Sequence, residues 1–144
     1  MGQQQLLLII LGVIVVGIAV AVGITMFNDS AVSANRDAVT NDLVNLASRA
    51  QQYYRRPTAL GGGGGTFTNL TAGSGMRLIT KTSGSAMTNG NGTYTISSSG
   101  ATQISFTGVG TETGNDPSGG VNGKVTVVMD VWADSAKVNS ASTN

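Results

Sequence analysis

Residues 1–29 read MGQQQLLLIILGVIVVGIAVAVGITMFND, and from Leu6 to Phe27 a run of 22 residues passes with no charge and with Thr25 as its only hydroxyl. No lysine or arginine precedes it. A secretory signal peptide carries a basic n-region, an apolar core of roughly 7–15 residues and a small-residue cleavage site. Here three glutamines stand in place of the basic region and the core is too long, although Val32-Ser33-Ala34 fits the small-x-small cleavage pattern. At about 1.5 Å rise per residue, a helix over this run is about 33 Å long and can cross a hydrocarbon core of about 30 Å. A helix apolar on every face has to be covered, by lipid or by other protein.

The helical pattern continues beyond Phe27. Val32, Val39, Leu43, Leu46, Ala50 and Tyr53 recur at spacings of seven, four, three, four and three, one apolar stripe at helical period. Asn35, Arg36, Asp37, Asn41, Asp42, Asn45, Ser48, Arg49 and Gln52 lie between them and read as a solvated opposite face. Arg55 and Arg56 suit the negative end of a helix dipole, and Pro57 disfavours helix at the residue before it. The expectation is one helix of about 50 residues, apolar in its first half (1–27) and amphipathic in its second (28–57).

Residues 58–144 are built differently: of 21 glycines in the chain, 17 fall between positions 61 and 123. The five glycines 61–65 predict either a flexible connector or a loop lying close against the helix, because glycine loses the most conformational entropy on ordering. After the turn cluster Asn89-Gly90-Asn91-Gly92, residues 93–97 alternate with Tyr94 and Ile96 on one face, and residues 103–107 alternate with Ile104 and Phe106 inward. GVGTETGNDPSGGVNG (108–123) reads as a loop, Lys124 to Trp132 as the longest strand, and Arg77 to Thr80 as a further short strand. Short connections favour an antiparallel meander, with Val125, Val127 and Met129 joining the apolar face. A small sheet with one apolar face needs a cover, and the stripe from Val32 to Tyr53 supplies it. The fold class expected is α+β: a long N-terminal α-helix, apolar then amphipathic, packed on a small C-terminal antiparallel β-sheet.

Composition narrows the function. Eight Lys+Arg against seven Asp+Glu give a net charge of +1, so no strong overall field steers nucleic acid. With neither cysteine nor histidine, the chain has no disulfide, no thiolate or imidazole ligand, and no histidine general base. An enzyme is not expected, and no cofactor or metal is implied.

The unbroken apolar run 6–27, with Gly2 just before it, the amphipathic continuation to Arg56 and the strands after Thr93 together resemble a type IV pilin. In that family a dedicated peptidase removes a short leader ending in glycine, and the apolar helix halves leave the membrane and bundle into the core of an extracellular filament. The resemblance implies cleavage at Gly2. It implies a filament-core role for Gln3, Gln4, Gln5, Leu6, Leu7, Leu8, Ile9, Ile10, Leu11, Val13, Val15, Val16, Ile18, Val20, Val22 and Phe27. The partners it implies are copies of the same chain, the membrane before assembly, the pilus assembly machinery and a prepilin peptidase. The chain departs from the family in three ways. Leu7 occupies the position where pilins carry a glutamate, the run contains no proline, and there is no cysteine pair. A chain cut after Gly2 would begin at Gln3, which can cyclise to pyroglutamate and lose the terminal charge. A chain that keeps Met1 would hold its amine at a wet end, with Gln3–Gln5 bonded to neighbouring backbones.

A single-pass anchor carrying a binding module, or a minor pseudopilin-type assembly component, is the alternative. An anchor needs no apolar stripe continuing for seven further turns. Gly12, Gly17 and Gly23 either let helices approach closely or are simply tolerated in an apolar helix. Oxygens of Glu112, Asn115, Asp116 and Ser118 are candidate calcium ligands, but without EF-hand spacing an ordinary loop is expected. Asn28, Asn69 and Asn91 head glycosylation-type triplets of the kind that arise by chance in an Asn/Thr-rich chain. Tyr53, Tyr54 and Trp132 read as core or subunit-contact residues.

Overall fold

The computed structural model describes residues 2–114 and 123–141. One helix, α1 (Gly2–Arg55), is followed by a 3-10 turn (Thr58–Leu60), a short helix α2 (Gly75–Thr80) and strands β1 (Ala86–Thr88), β2 (Gly92–Ser99), β3 (Gln103–Thr113), β4 (Lys124–Trp132) and β5 (Ala136–Ala141). The strands form an antiparallel sheet in the order β1-β2-β3-β4-β5. The fold is therefore α+β, a long N-terminal helix with a five-stranded antiparallel sheet. The chain divides into two compact units, Met1–Ala31 and Val32–Asn144.

In the second unit the helix residues turned to the sheet are Val32, Val39, Leu43, Leu46, Ala47, Ala50 and Tyr53, all buried. From the sheet come Tyr94, Ile96, Ile104, Phe106, Val125, Val127, Met129 and Val131, also buried. Register explains how they meet. Ile96 pairs with Phe106 and Phe106 with Met129, which lines three side chains across the inner face. In the neighbouring row Gly108 stands between Tyr94 and Val127. A Cβ on Gly108 would lie 2.7 Å from Val39 Cγ1 and 3.1 Å from the Tyr94 ring, so the helix crosses the sheet where β3 has no side chain. Gly110 likewise faces the Asn35 side chain, and Gly114 faces Val32.

Several expectations are corrected. Residues 108–113, read as the start of a loop, continue β3, which at 11 residues is longer than the nine-residue β4. Their alternation is hidden because the two buried positions, Gly108 and Gly110, are glycines. Residues 77–80 are not a strand but part of α2: Gly75, Met76 and Ile79 are buried at helical spacing, while Leu78 is half exposed. Thr80 Oγ1 donates to the Met76 carbonyl at 2.7 Å, and Lys81 closes the turn at φ 58°. The strands β1 and β5 carry too little alternation to announce themselves.

The glycine run 61–65 closes against the helix. The last carbonyls of a helix have no partner within it. Here Gly63 N–H donates to the Tyr53 carbonyl at 2.8 Å, Gly65 N–H to Tyr54 at 2.8 Å and Gly64 N–H to Arg56 at 2.9 Å. Gly65 adopts φ 89°, and a Cβ on Gly63 would meet the Thr66 carbonyl and the Tyr53 ring. The run serves as a backbone cap.

Two substitutions test this packing by thermal unfolding of the full chain in detergent. Phe106→Ala should cost about 3–5 kcal/mol through the cavity it leaves. Gly108→Val should cost about 1–3 kcal/mol by forcing the helix off the sheet. An unchanged melting temperature for either would contradict a tight seam between α1 and β3.

Candidate functional site

The first unit is helical throughout its described residues, and its side chains are uncovered. From Leu6 to Phe27, 16 large apolar side chains are each more than half exposed, from 51% at Val22 to 81% at Phe27. Gln3, Gln4 and Gln5 are exposed as well. The single hydroxyl of the run is satisfied internally, with Thr25 Oγ1 donating to the Val22 carbonyl at 2.8 Å. No charge or free hydroxyl interrupts the surface. The helix is long and apolar enough to cross a membrane. Full burial of an aliphatic side chain is worth roughly 1.5–3 kcal/mol, so covering this surface is worth on the order of 20 kcal/mol. That exceeds the about 5–15 kcal/mol that holds a typical domain together. The surface therefore dictates where the chain can reside.

The second unit positions polar side chains on both flanks of the helix stripe. Asn35 Nδ2 donates to the Asn91 carbonyl at 2.9 Å, and its Oδ1 accepts from Glu112 N–H at 3.4 Å. Asp42 Oδ2 accepts from Tyr94 Oη at 2.6 Å and from the Asn89 and Asn91 amides at 2.8 Å each. Toward the end of α1, Gln51 Nε2 donates to the Trp132 and Ser135 carbonyls, and Arg55 Nη2 to the Ala133 carbonyl at 3.3 Å. Asn35 and Asp42, read from sequence as part of a solvated face, instead hold the β1–β2 turn and the end of β3 against the helix. Only the register of the sheet brings those turns within reach of α1.

Burial pushes the Asp42 carboxyl up, but the hydrogen bonds from Tyr94, Asn91 and Asn89 outweigh it and hold the pKa below the usual 3.8. Burial, with the carboxylate beside it, raises the Tyr94 hydroxyl far above its usual 10.0.

Tyr53 is buried, Tyr54 packs on Phe67 with ring centroids 4.7 Å apart, and Trp132 is half-buried. Asn28 and Asn69 are exposed, whereas the Asn91 amide is committed to Asp42. Glu112 lies at the end of β3, and the other suggested calcium ligands, Asn115, Asp116 and Ser118, lie outside the described residues. Among the described residues no three His, Cys, Asp or Glu side chains gather to hold a metal.

Comparisons with protein-family models, with curated proteins and with solved structures find no match for this chain.

Because its folded-state pKa is depressed, Asp42 contributes stability that is present above pH 3.8 and is lost as pH falls through the lower folded value. Asp42→Ala should lower stability by about 1–3 kcal/mol at neutral pH, since it strands the buried Tyr94 hydroxyl. It should also flatten the acid limb of the unfolding curve. Thermal melts of both proteins between pH 2 and 7 would show this, and parallel acid limbs would refute it.

Proposed function

We propose that this chain is the repeating structural subunit of an extracellular filament of the type IV pilus kind, polymerising through residues 6–27. The carrying observation is a 54-residue helix whose first half exposes apolar surface on every side while its second half is covered by the chain's own sheet. Copies bundled through their first halves would give every apolar side chain a protein partner. Before assembly the same helix would sit in the cytoplasmic membrane, whose core matches its length. The partners are then other copies, the membrane, a pilus assembly machinery and a prepilin peptidase acting at Gly2. The role is architectural rather than catalytic: among the described residues, the most perturbed ionisable pair, Asp42 and Tyr94, is spent on holding a turn.

A second reading, a single-pass anchor or minor assembly component, draws on the same membrane-length helix. Electron microscopy of sheared cell-surface material separates the two. Filaments containing this chain support the first, and detergent-soluble monomers confined to the membrane fraction support the second.

Val15→Asp should abolish filaments, because an unpaired carboxylate buried in an apolar bundle costs several kcal/mol per subunit. The unit from Val32 onward should melt as before. Normal filaments from this variant would rule out burial of the helix at the filament axis.

A further inference from the structure

The net charge of +1 conceals a local concentration. A groove of about 410 Å³ runs between α1 and α2, lined by Asn45, Arg49, Gln52 and Arg56 on one side and by Leu78 and Lys81 on the other. Arg77 lines the adjoining hollow together with Lys81. Four of the eight Lys+Arg of the chain thus border one concave surface, and no Asp or Glu lines either part. Among the described residues, Arg49 Nε donates to the Asn45 amide oxygen at 3.5 Å. Asp42, which shares the next cleft with Arg49, is hydrogen-bonded to Tyr94, Asn89 and Asn91. Half-exposed Leu78 gives the groove an apolar lip.

The complementary charge lies on the same helix. Along the part of α1 that carries the sheet, Asp37 and Asp42 come first and Arg49, Arg55 and Arg56 come last, with Arg36 as the exception. Asp42 is used internally, whereas Asp37 is exposed. Asp37 precedes Arg49 by 12 residues, about 18 Å along the axis and about 120° around it, so it does not reach its own groove. In a neighbour packed parallel and displaced by about 18–28 Å, it would meet Arg49 or Arg56.

We propose that the basic groove is the docking site for the Asp37 carboxylate of a second copy of this chain. The contact joins two different surfaces, so it is heterologous: it leaves a free donor and a free receptor at the ends and propagates. It rests on the filament reading, to which it adds an axial register that the featureless apolar helix does not supply. Charges at such an interface select orientation and exclude wrong registers more than they add affinity.

The test is charge reversal in the full-length protein, read as the fraction of pelletable filaments and checked by microscopy. Asp37→Lys and Arg49→Glu should each lower filament yield by roughly tenfold through like-charge contact, and the double variant should recover most of it. Lys81→Glu provides a second receptor variant, and thermal melts of each single variant confirm that the fold is intact. Unchanged yields in folded single variants, or failure of the double variant to recover, would overturn the contact while leaving wild-type filaments standing. Normal filaments from Arg49→Glu combined with lost binding of polyphosphate would assign the groove to a soluble polyanion and overturn it equally. Absence of wild-type filaments would overturn the filament reading and this contact with it.

Discussion

The second unit depends on how closely its helix can approach β3. Gly108 beneath Val39 and Gly110 beneath Asn35 leave a stretch of β3 without side chains, with Gly114 beneath Val32 just past the strand's end, and α1 lies along it. That approach places Tyr94 beside the helix with its hydroxyl on Asp42, and lets side chains as short as asparagine and aspartate reach the turns of the sheet. The apolar seam and the polar clamps on its flanks are therefore one fit. A bulkier β3 would widen the seam and break the clamps together. A chain without cysteine ties its helix to its sheet by this means instead.

The two halves of α1 meet opposite burial requirements. From Val32 to Tyr53 the apolar residues recur every three or four positions and are matched by the chain's own strands, so the partner is encoded in the same sequence. From Leu6 to Phe27 no face is privileged, and the run specifies that something must cover it without specifying the geometry. Under the proposed reading the apolar run supplies the drive to associate. The register of association falls to the polar residues that follow, and a groove and its adjoining hollow that together gather four cations form a surface of that kind.

The helix was legible because its two signals, an uncharged run and a period near 3.6, both extend over many turns. The strands β2, β4 and the first half of β3 were legible because they alternate. What stayed hidden did so for specific reasons. Residues 77–80 are too few for period two to be told from period 3.6. The second half of β3 has glycine at its buried positions, Gly108 and Gly110, which reads as loop. Ala136 to Asn139 are all exposed, so β5 has no burial pattern to show. Asn35 and Asp42 are polar, and nothing in the helix itself distinguishes a residue facing water from one facing a turn. Arg49, Arg56, Arg77 and Lys81 are spread over 33 positions of sequence and converge only when α2 packs beside α1.

The strand order follows the chain order without a crossover, and three of the four connections, residues 89–91, 100–102 and 133–135, are three residues long. Those three hairpins close at a small entropic cost, and the ten-residue β3–β4 connection costs only modestly more because closure entropy grows slowly with length. The longest closure is between the sheet and the helix residues 32–53, which are made first. In a protein synthesised from its N-terminus, that stripe is already in place as each hairpin forms, and it acts as a template on which the meander condenses in the order it emerges.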